Sequence, residues 1–303
     1  MLRTARRFDL PLCLVSSTGE VVLIQQDIES YFSTSLRHVV MSHGWVKLAP
    51  WNWDEVNNEL SRTERLETGR SVLVKLCQSG PRFFRIQVDV EALGEFERKD
   101  IESRVNRWLS LDWDPQPSID KAMVLNRHIA LYLKQGGGRF LRSSTFYEDF
   151  VKTICTINAN WAYTVQMVSS LVKNLGDGTF PTPASVVESG EKFLRETVRL
   201  GFRARVVVES SQKLLARGVI DNWGNLTNRS PSYGDLMSLR GVGEYSANHV
   251  RMLCHDFSRV PIDSEVTRYC RERYNVEPGG IESFFDLWGD HRYLGYKLSR
   301  MLD

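Results

Sequence analysis

The sequence predicts an α+β protein, with an N-terminal antiparallel β-sheet followed by a mostly α-helical body. Three observations carry this. Apolar and polar residues alternate in short runs over the first ninety residues, and apolar residues recur at spacings of three and four after Val90. Near the C-terminus, a two-glycine turn, Gly241-Val242-Gly243, joins two helical stretches. The 303 residues are enough for two domains and a sizeable core.

The strands expected in order are Leu10 to Val15, Glu20 to Gln25, Ser71 to Cys77 and Arg82 to Val90. In the last of these, Phe84, Ile86, Val88 and Val90 repeat with the period of a half-buried strand. A Trp-rich segment (Trp45, Trp51, Trp53) lies between the strands, and one helix is expected near Glu55 to Arg65. After Val90, Ile101, Val105, Trp108 and Leu109 form a helical stripe. A second helix is expected over Ile119 to Gln135, ended by Gly136-Gly137-Gly138. No Gly-Lys-Ser/Thr follows those glycines, so termination suits them better than phosphate binding. From Phe146 onward the pattern is helix upon helix.

The 39 Lys+Arg against 37 Asp+Glu exclude both a polycation and an acidic tail. Residues 1–115 hold 15 basic against 17 acidic groups and the remainder 24 against 20, so the positive excess lies with the hairpin. Five scattered cysteines form no C-x-x-C pair, which argues against a zinc site or a disulfide framework. No apolar run approaches the roughly 20 residues of a membrane helix. Arg3, Arg6 and Arg7 are not followed by the apolar stretch of a secretory signal, and a mitochondrial presequence stays open.

The chemistry concentrates between Tyr233 and Tyr269. Leu239-Arg240-Gly241-Val242-Gly243 is flanked by helices over Gly234 to Leu239 and Glu244 to Cys254. Such a turn leaves free N–H groups at the start of the second helix, where the helix dipole favours an anion. A nucleic-acid phosphate would suit it, independently of base sequence. For the two glycines alone, a plain helix connection is the better explanation. Beyond it, Arg259-Val260-Pro261-Ile262 leads to Asp263 and a helix over Ser264 to Arg273.

Hairpin, proline-containing loop and aspartate together resemble the helix-hairpin-helix DNA glycosylase superfamily, in character nearest the 8-oxoguanine and 3-methyladenine types. The 18 residues from Tyr245 to Asp263 are similar to the family spacing. Phe146 to Leu171, Phe180-Pro181-Thr182-Pro183, Leu200-Gly201-Phe202-Arg203-Ala204 and Trp288-Gly289 resemble further family landmarks. The resemblance implies a two-lobed helical core. It divides the chain into a sheet domain over 1–92, a lobe of 93–138 plus 258–303 carrying Asp263, and a lobe of 139–257 carrying the hairpin.

The resemblance also implies roles. Asp263 becomes the catalytic carboxylate, stabilising positive charge on the sugar as the base leaves, though an aspartate there also caps a helix. Relatives that cleave the strand carry a lysine where this chain has Tyr245. A phenol forms no imine, so a monofunctional glycosylase using water, without abasic-site lyase activity, is expected. Tyr245, Tyr296 and Trp161 are candidate walls of the base pocket, or core aromatics. Tyr296 stands where 8-oxoguanine enzymes have a glutamine, which favours an alkylated over an oxidised base.

Asn158 falls where relatives push an amide into the duplex behind a flipped base, with Asn160 as a weaker second; either is equally at home in a surface turn. Arg240, Gly241, Val242 and Gly243 are the DNA-backbone candidates, although a lone arginine is commonly just surface. Only Cys270 follows Asp263, so an iron–sulfur cluster of four thiolates is not expected. No cofactor is required, and the resemblance allows a monovalent cation on the hairpin carbonyls. The expected partner is double-stranded DNA with a damaged or mismatched base, bound by a monomer with no membrane attachment. The expected location is the cytoplasm of a prokaryote, or the nucleus or mitochondrion of a eukaryote. The alternatives are a non-catalytic binder of damaged DNA and a helical protein-interaction module.

Overall fold

A computed structural model describes the chain at Arg6–Arg7 and over residues 23–303. The sheet is antiparallel. Its strands are β1 (Arg6–Arg7), β2 (Leu23–Glu29), β3 (Trp51–Asp54), β4 (Glu59–Arg65), β5 (Ser71–Gln78) and β6 (Phe83–Asp89), in the order β1-β2-β6-β5-β4-β3. In β6 the alternation is as expected: Phe84, Ile86 and Val88 are buried, while Phe83 and Arg85 face out. Val72, Val74 and Leu76 of β5 bury the same side of the sheet. The strand expected at Glu20 to Gln25 is found as β2, extending to Glu29. The one expected at Leu10 to Val15 lies outside the described residues.

The helix expected near Glu55 to Arg65 is instead a turn and a strand. The Asp54 carboxylate accepts from the backbone N–H groups of Val56 (2.9 Å) and Asn57 (3.0 Å), and Asn58 takes a left-handed φ of 51°. β4 then pairs with β3 (Trp53 opposite Leu60) and with β5 (Arg62 opposite Val74). Its polar sequence hid the strand because its charges are internal: Arg62 and Glu64 are each about 2% exposed.

The helices begin with α1 (Leu36–Val40), in the β2–β3 crossover, and α2 (Glu95–Trp108), whose stripe of Ile101, Val105 and Trp108 is buried. The single helix expected over Ile119 to Gln135 is two, α3 (Gln116–Leu125) and α4 (Arg127–Lys134). Asn126 between them is extended, and its side chain caps α4 by accepting from His128 and Ile129 N–H. α5 (Phe146–Thr156), α6 (Trp161–Asn174), α7 (Pro183–Glu196), α8 (Arg203–Ala216), α9 (Tyr233–Met237), α10 (Glu244–Leu253), α11 (Ser264–Tyr274), α12 (Ile281–Phe284) and α13 (Arg292–Leu302) follow. None of the described helices is long and apolar enough to cross a membrane.

The Phe180-to-Pro183 landmark is a helix start: Thr182 caps α7 by accepting from Ser185 N–H, and Pro183 occupies the first turn.

Sheet and helices are joined by a buried ionic network. Arg62 of β4 makes a two-pronged contact with Glu148 of α5 (3.0 and 2.8 Å) and reaches Glu64 (2.5 Å). Arg104 of α2 pairs with Glu64 (2.9 Å), and Lys152 of α5 with Glu148 (2.7 Å). Next to it, Asp149 accepts from Arg107 (2.6 Å) and from the Trp45 indole N–H (2.8 Å). This last bond carries the network to the wall of the cleft described below.

Candidate active site

The hairpin is built as its glycines require. Gly241 has φ +72°, and a Cβ there would come within 2.6 Å of the Val206 side chain on α8. Leu239 and Val242 are buried on either side of it and anchor the turn. Gly243 is the N-cap of α10, and a Cβ on it would meet nothing, so the backbone is bare on that side. The first turn of α10 follows, with its N–H groups beyond the reach of helix carbonyls. Gly241→Ala should cost about 2 kcal/mol in a denaturant titration, from a left-handed alanine pressed against Val206. An unchanged unfolding midpoint would show that the turn relaxes freely.

Asp263 ends a loop whose Val260 and Pro261 are buried, and Val260 N–H donates to Glu282 (2.8 Å). Asp263 caps α11, its Oδ1 accepting from Val266 N–H at 2.7 Å. One oxygen is thus fixed. The other has no hydrogen-bond or ion-pair partner among the described residues.

Asp263 lies on a cleft of about 1000 Å³. The cleft gathers the hairpin glycines Gly241 and Gly243, the α5–α6 loop and the start of α6 with Asn158, Asn160 and Trp161, Tyr245 of α10, and Tyr296 of α13. Two expected residues are elsewhere. Val242 points into the core, and Arg240 is exposed, 3.9 Å from Glu209 on α8.

Each cleft residue is held by identifiable means. Asn158 is exposed in a left-handed conformation (φ 48°). Arg203, buried at the start of α8, donates to the preceding carbonyl of Ile157 through two nitrogens, one at 3.0 Å. The arginine of the Leu200-to-Ala204 landmark therefore pins the loop that presents Asn158. Asn160 is committed locally: its side chain caps α6, accepting from Tyr163 N–H (2.8 Å). Trp161, 39% exposed, lies over Gly44, where a Cβ would meet its ring at 2.6 Å. The Tyr245 hydroxyl is 3.4 Å from that of Thr156, and burial pushes its phenol up to about 12. Tyr296 is 2% exposed, and its hydroxyl accepts from Arg300 (2.9 Å).

Sequence reasoning missed His43, Trp45, His249, Tyr293, Lys297 and Arg300, all of which line the cleft. Trp45 stacks on His249 at 5.1 Å, and Tyr245 is 5.7 Å from the same ring. Burial pushes His249 down to about 4, so its imidazole is neutral near pH 7, and its buried Nε2 has no hydrogen-bond partner. His43 Nε2 is 2.8 Å from Leu141 O, and burial also lowers this imidazole. Helical spacing could have found two of these residues. His249 follows Tyr245 by one turn of α10, and Lys297 follows Tyr293 by one turn of α13. Gly295 lets α13 sit against Trp288, since a Cβ there would be 2.5 Å from the indole.

Among the described residues the four cysteines Cys77, Cys155, Cys254 and Cys270 are free, and no three His, Cys, Asp or Glu side chains come together as a metal site would need.

Comparison with known proteins agrees with this architecture. No family model matches the chain. It is 23% identical over 248 residues to an N-glycosylase/DNA lyase of Saccharomyces cerevisiae, a match covering 75% of this chain and 65% of that protein. The match therefore spans just under two thirds of that relative's length. Among solved structures, a 3-methyladenine DNA glycosylase from Archaeoglobus fulgidus superposes with a TM-score of 0.69 at 18% identity, covering 90% of this chain and 96% of the other. An 8-oxoguanine glycosylase/lyase of Clostridium acetobutylicum, solved with double-stranded DNA containing cytosine opposite 8-oxoguanine, gives 0.59 at 16% identity and 99% coverage of both chains. In fold, then, the chain is similar to DNA glycosylases of the 3-methyladenine and 8-oxoguanine types.

Proposed function

We propose that the chain is a DNA N-glycosylase of base excision repair that releases a modified base by hydrolysis. The observation that carries this reading is the half-free carboxylate of Asp263 in a cleft whose rim holds both the hairpin glycines and Asn158. In the proposed complex, phosphates lie on the bare backbone at Gly243 and the first turn of α10. Asn158 fills the gap left when the nucleotide rotates out of the stack. Asn160 keeps its cap, and Arg240 contributes only a peripheral charge.

The rotated base stacks among Trp161, Tyr245 and Tyr296. Asp263 stabilises positive charge on the sugar as the glycosidic bond lengthens, and its free oxygen orients the water that attacks. Tyr245 keeps its proton at neutral pH and offers no amine, so base release at the hairpin proceeds through water.

The aromatic walls support an alkylated base ahead of an oxidised one. Arg300 lines the same cleft, and its charge favours an uncharged alkylated base over one with a formal positive charge. The test is a panel of duplexes carrying cationic alkylated, neutral alkylated, oxidised, deaminated or mismatched bases, scored for released free base. Release from the neutral alkylated members is expected. Tight, salt-sensitive binding with no release from any duplex would instead establish a non-catalytic damage binder.

A further inference from the structure

The last helix carries a lysine that nothing in hydrolysis requires. Lys297 sits on α13 between buried Tyr296 and buried Leu298, and it lines the cleft together with Asp263 and Tyr245. It makes no hydrogen bond or ion pair with any described residue. That is unusual for a largely enclosed ammonium group, which ordinarily pairs with a carboxylate or extends to water. The charges that act on it are of both signs: Arg300, about one helical turn further along α13, and Asp263, which lines the same cleft. His43 and His249, basic groups lining the same cleft, are both kept neutral by burial.

We propose that Lys297 is an amine nucleophile of this cleft: it condenses with the C1′ aldehyde of the abasic sugar and cleaves the strand on its 3′ side. The proposal rests on the reading above only for its ligand, an abasic nucleotide, which is the product of base release. It adds to the chain a lyase activity that the tyrosine at the hairpin does not supply, from a residue on a different element.

The steps balance without an oxidant, reductant or metal. The lone pair of neutral Lys297 Nζ forms the C–N bond at C1′, and the aldehyde oxygen leaves as water with the amine's two protons, taking up one more to give the protonated imine. The Asp263 carboxylate removes a proton from C2′. The electron pair left there becomes the C2′–C3′ double bond as the C3′–O bond breaks, and the 3′ phosphate departs. Water then hydrolyses the imine, returning free lysine and an unsaturated aldehyde on the 5′ fragment. Such a step needs an amine that sheds its proton near neutrality. Burial, with Arg300 adding to it and Asp263 opposing it, holds Lys297 down to about 8. A lysine so perturbed, in a cleft that also holds the Asp263 carboxylate, has the features of a covalent catalyst.

The test supplies the abasic site ready-made, so that it does not depend on base release. The full chain is incubated with a duplex containing one abasic site and sodium borohydride, and the reduced adduct is digested and mapped. The expected result is a covalent adduct on Lys297, lost by at least tenfold in both Lys297→Gln and Lys297→Arg, with thermal unfolding of each variant showing that it is folded. The arginine variant keeps the charge and cannot form the imine, which separates covalent chemistry from simple electrostatics. No adduct, or an adduct mapped to another amine and retained in both variants, overturns the proposal. Base release from the duplex panel would leave the glycosylase reading standing in that case, and absence of base release with an adduct at Lys297 would do the reverse.

Discussion

Replacing Asp263 by asparagine is expected to slow base release by roughly 10²–10⁴-fold, the usual contribution of a positioned acid–base or electrostatic group. The substitution is close to ideal for this site. Asparagine caps helices as well as aspartate does, and its Oδ1 can accept the same 2.7 Å bond from Val266 N–H. The fold and the loop should therefore persist, and with one fewer negative charge in the cleft, binding to DNA should hold or tighten. Single-turnover release of free base, measured beside binding to the same duplex, separates the two effects. Activity equal to that of the unsubstituted chain would remove Asp263 from the chemistry and leave it as a cap alone.

Breaking the buried network between sheet and helices should have the largest effect on stability. Arg62→Met leaves Glu148 with Lys152 as its only cationic partner and Glu64 with Arg104, and removing one member of a buried ion pair typically costs roughly 3–5 kcal/mol. Denaturant unfolding measures it, and a loss below about 1 kcal/mol would show that the remaining cations compensate. The same network predicts an acid response. Burial alone would raise the Glu148 carboxyl, but the Arg62 and Lys152 charges outweigh it and push it down to about 2, from an ordinary 4.5. A carboxyl lowered in the folded state stabilises fully above its unfolded value, and the contribution fades as pH falls from about 4.5 towards 2. Glu148→Gln should remove that share of the acid sensitivity, visible as a flatter dependence of melting temperature on pH below about 5.

The consequence reaches the cleft. Asp149, adjacent to Glu148 on α5, holds the Trp45 indole, and Trp45 stacks on His249. Sheet-domain and helical residues are thus parts of one wall, although nothing in the sequence links position 45 to position 249.

The elements legible in the sequence were those with a local cause. Period-two burial marked β5 and β6, and a three-and-four stripe marked α2. The hairpin was legible because Gly241 needs a left-handed φ, and Asp263 because it follows the hairpin and the proline-containing loop at a recognisable spacing. Two errors had causes that periodicity misses. The polar run of β4 hides its buried charges, which find their partners in α2 and α5, and Asn126 divides α3 from α4 by an extended backbone that apolar spacing does not register.

By itself, then, the sequence determined the order of sheet and helices, the glycine hairpin, the aspartate at the head of α11 and the absence of a lysine at position 245. Only the tertiary structure decided what those residues face. It set Trp45 and His249 behind Tyr245, turned Val242 and Arg240 away from the cleft, and brought Lys297 from the last helix into the cleft that holds Asp263. The reason is physical: backbone preference and burial period act over a few residues and say which face of an element is covered, whereas a cleft is made where several covered faces fail to meet, and that depends on packing between segments far apart in the chain.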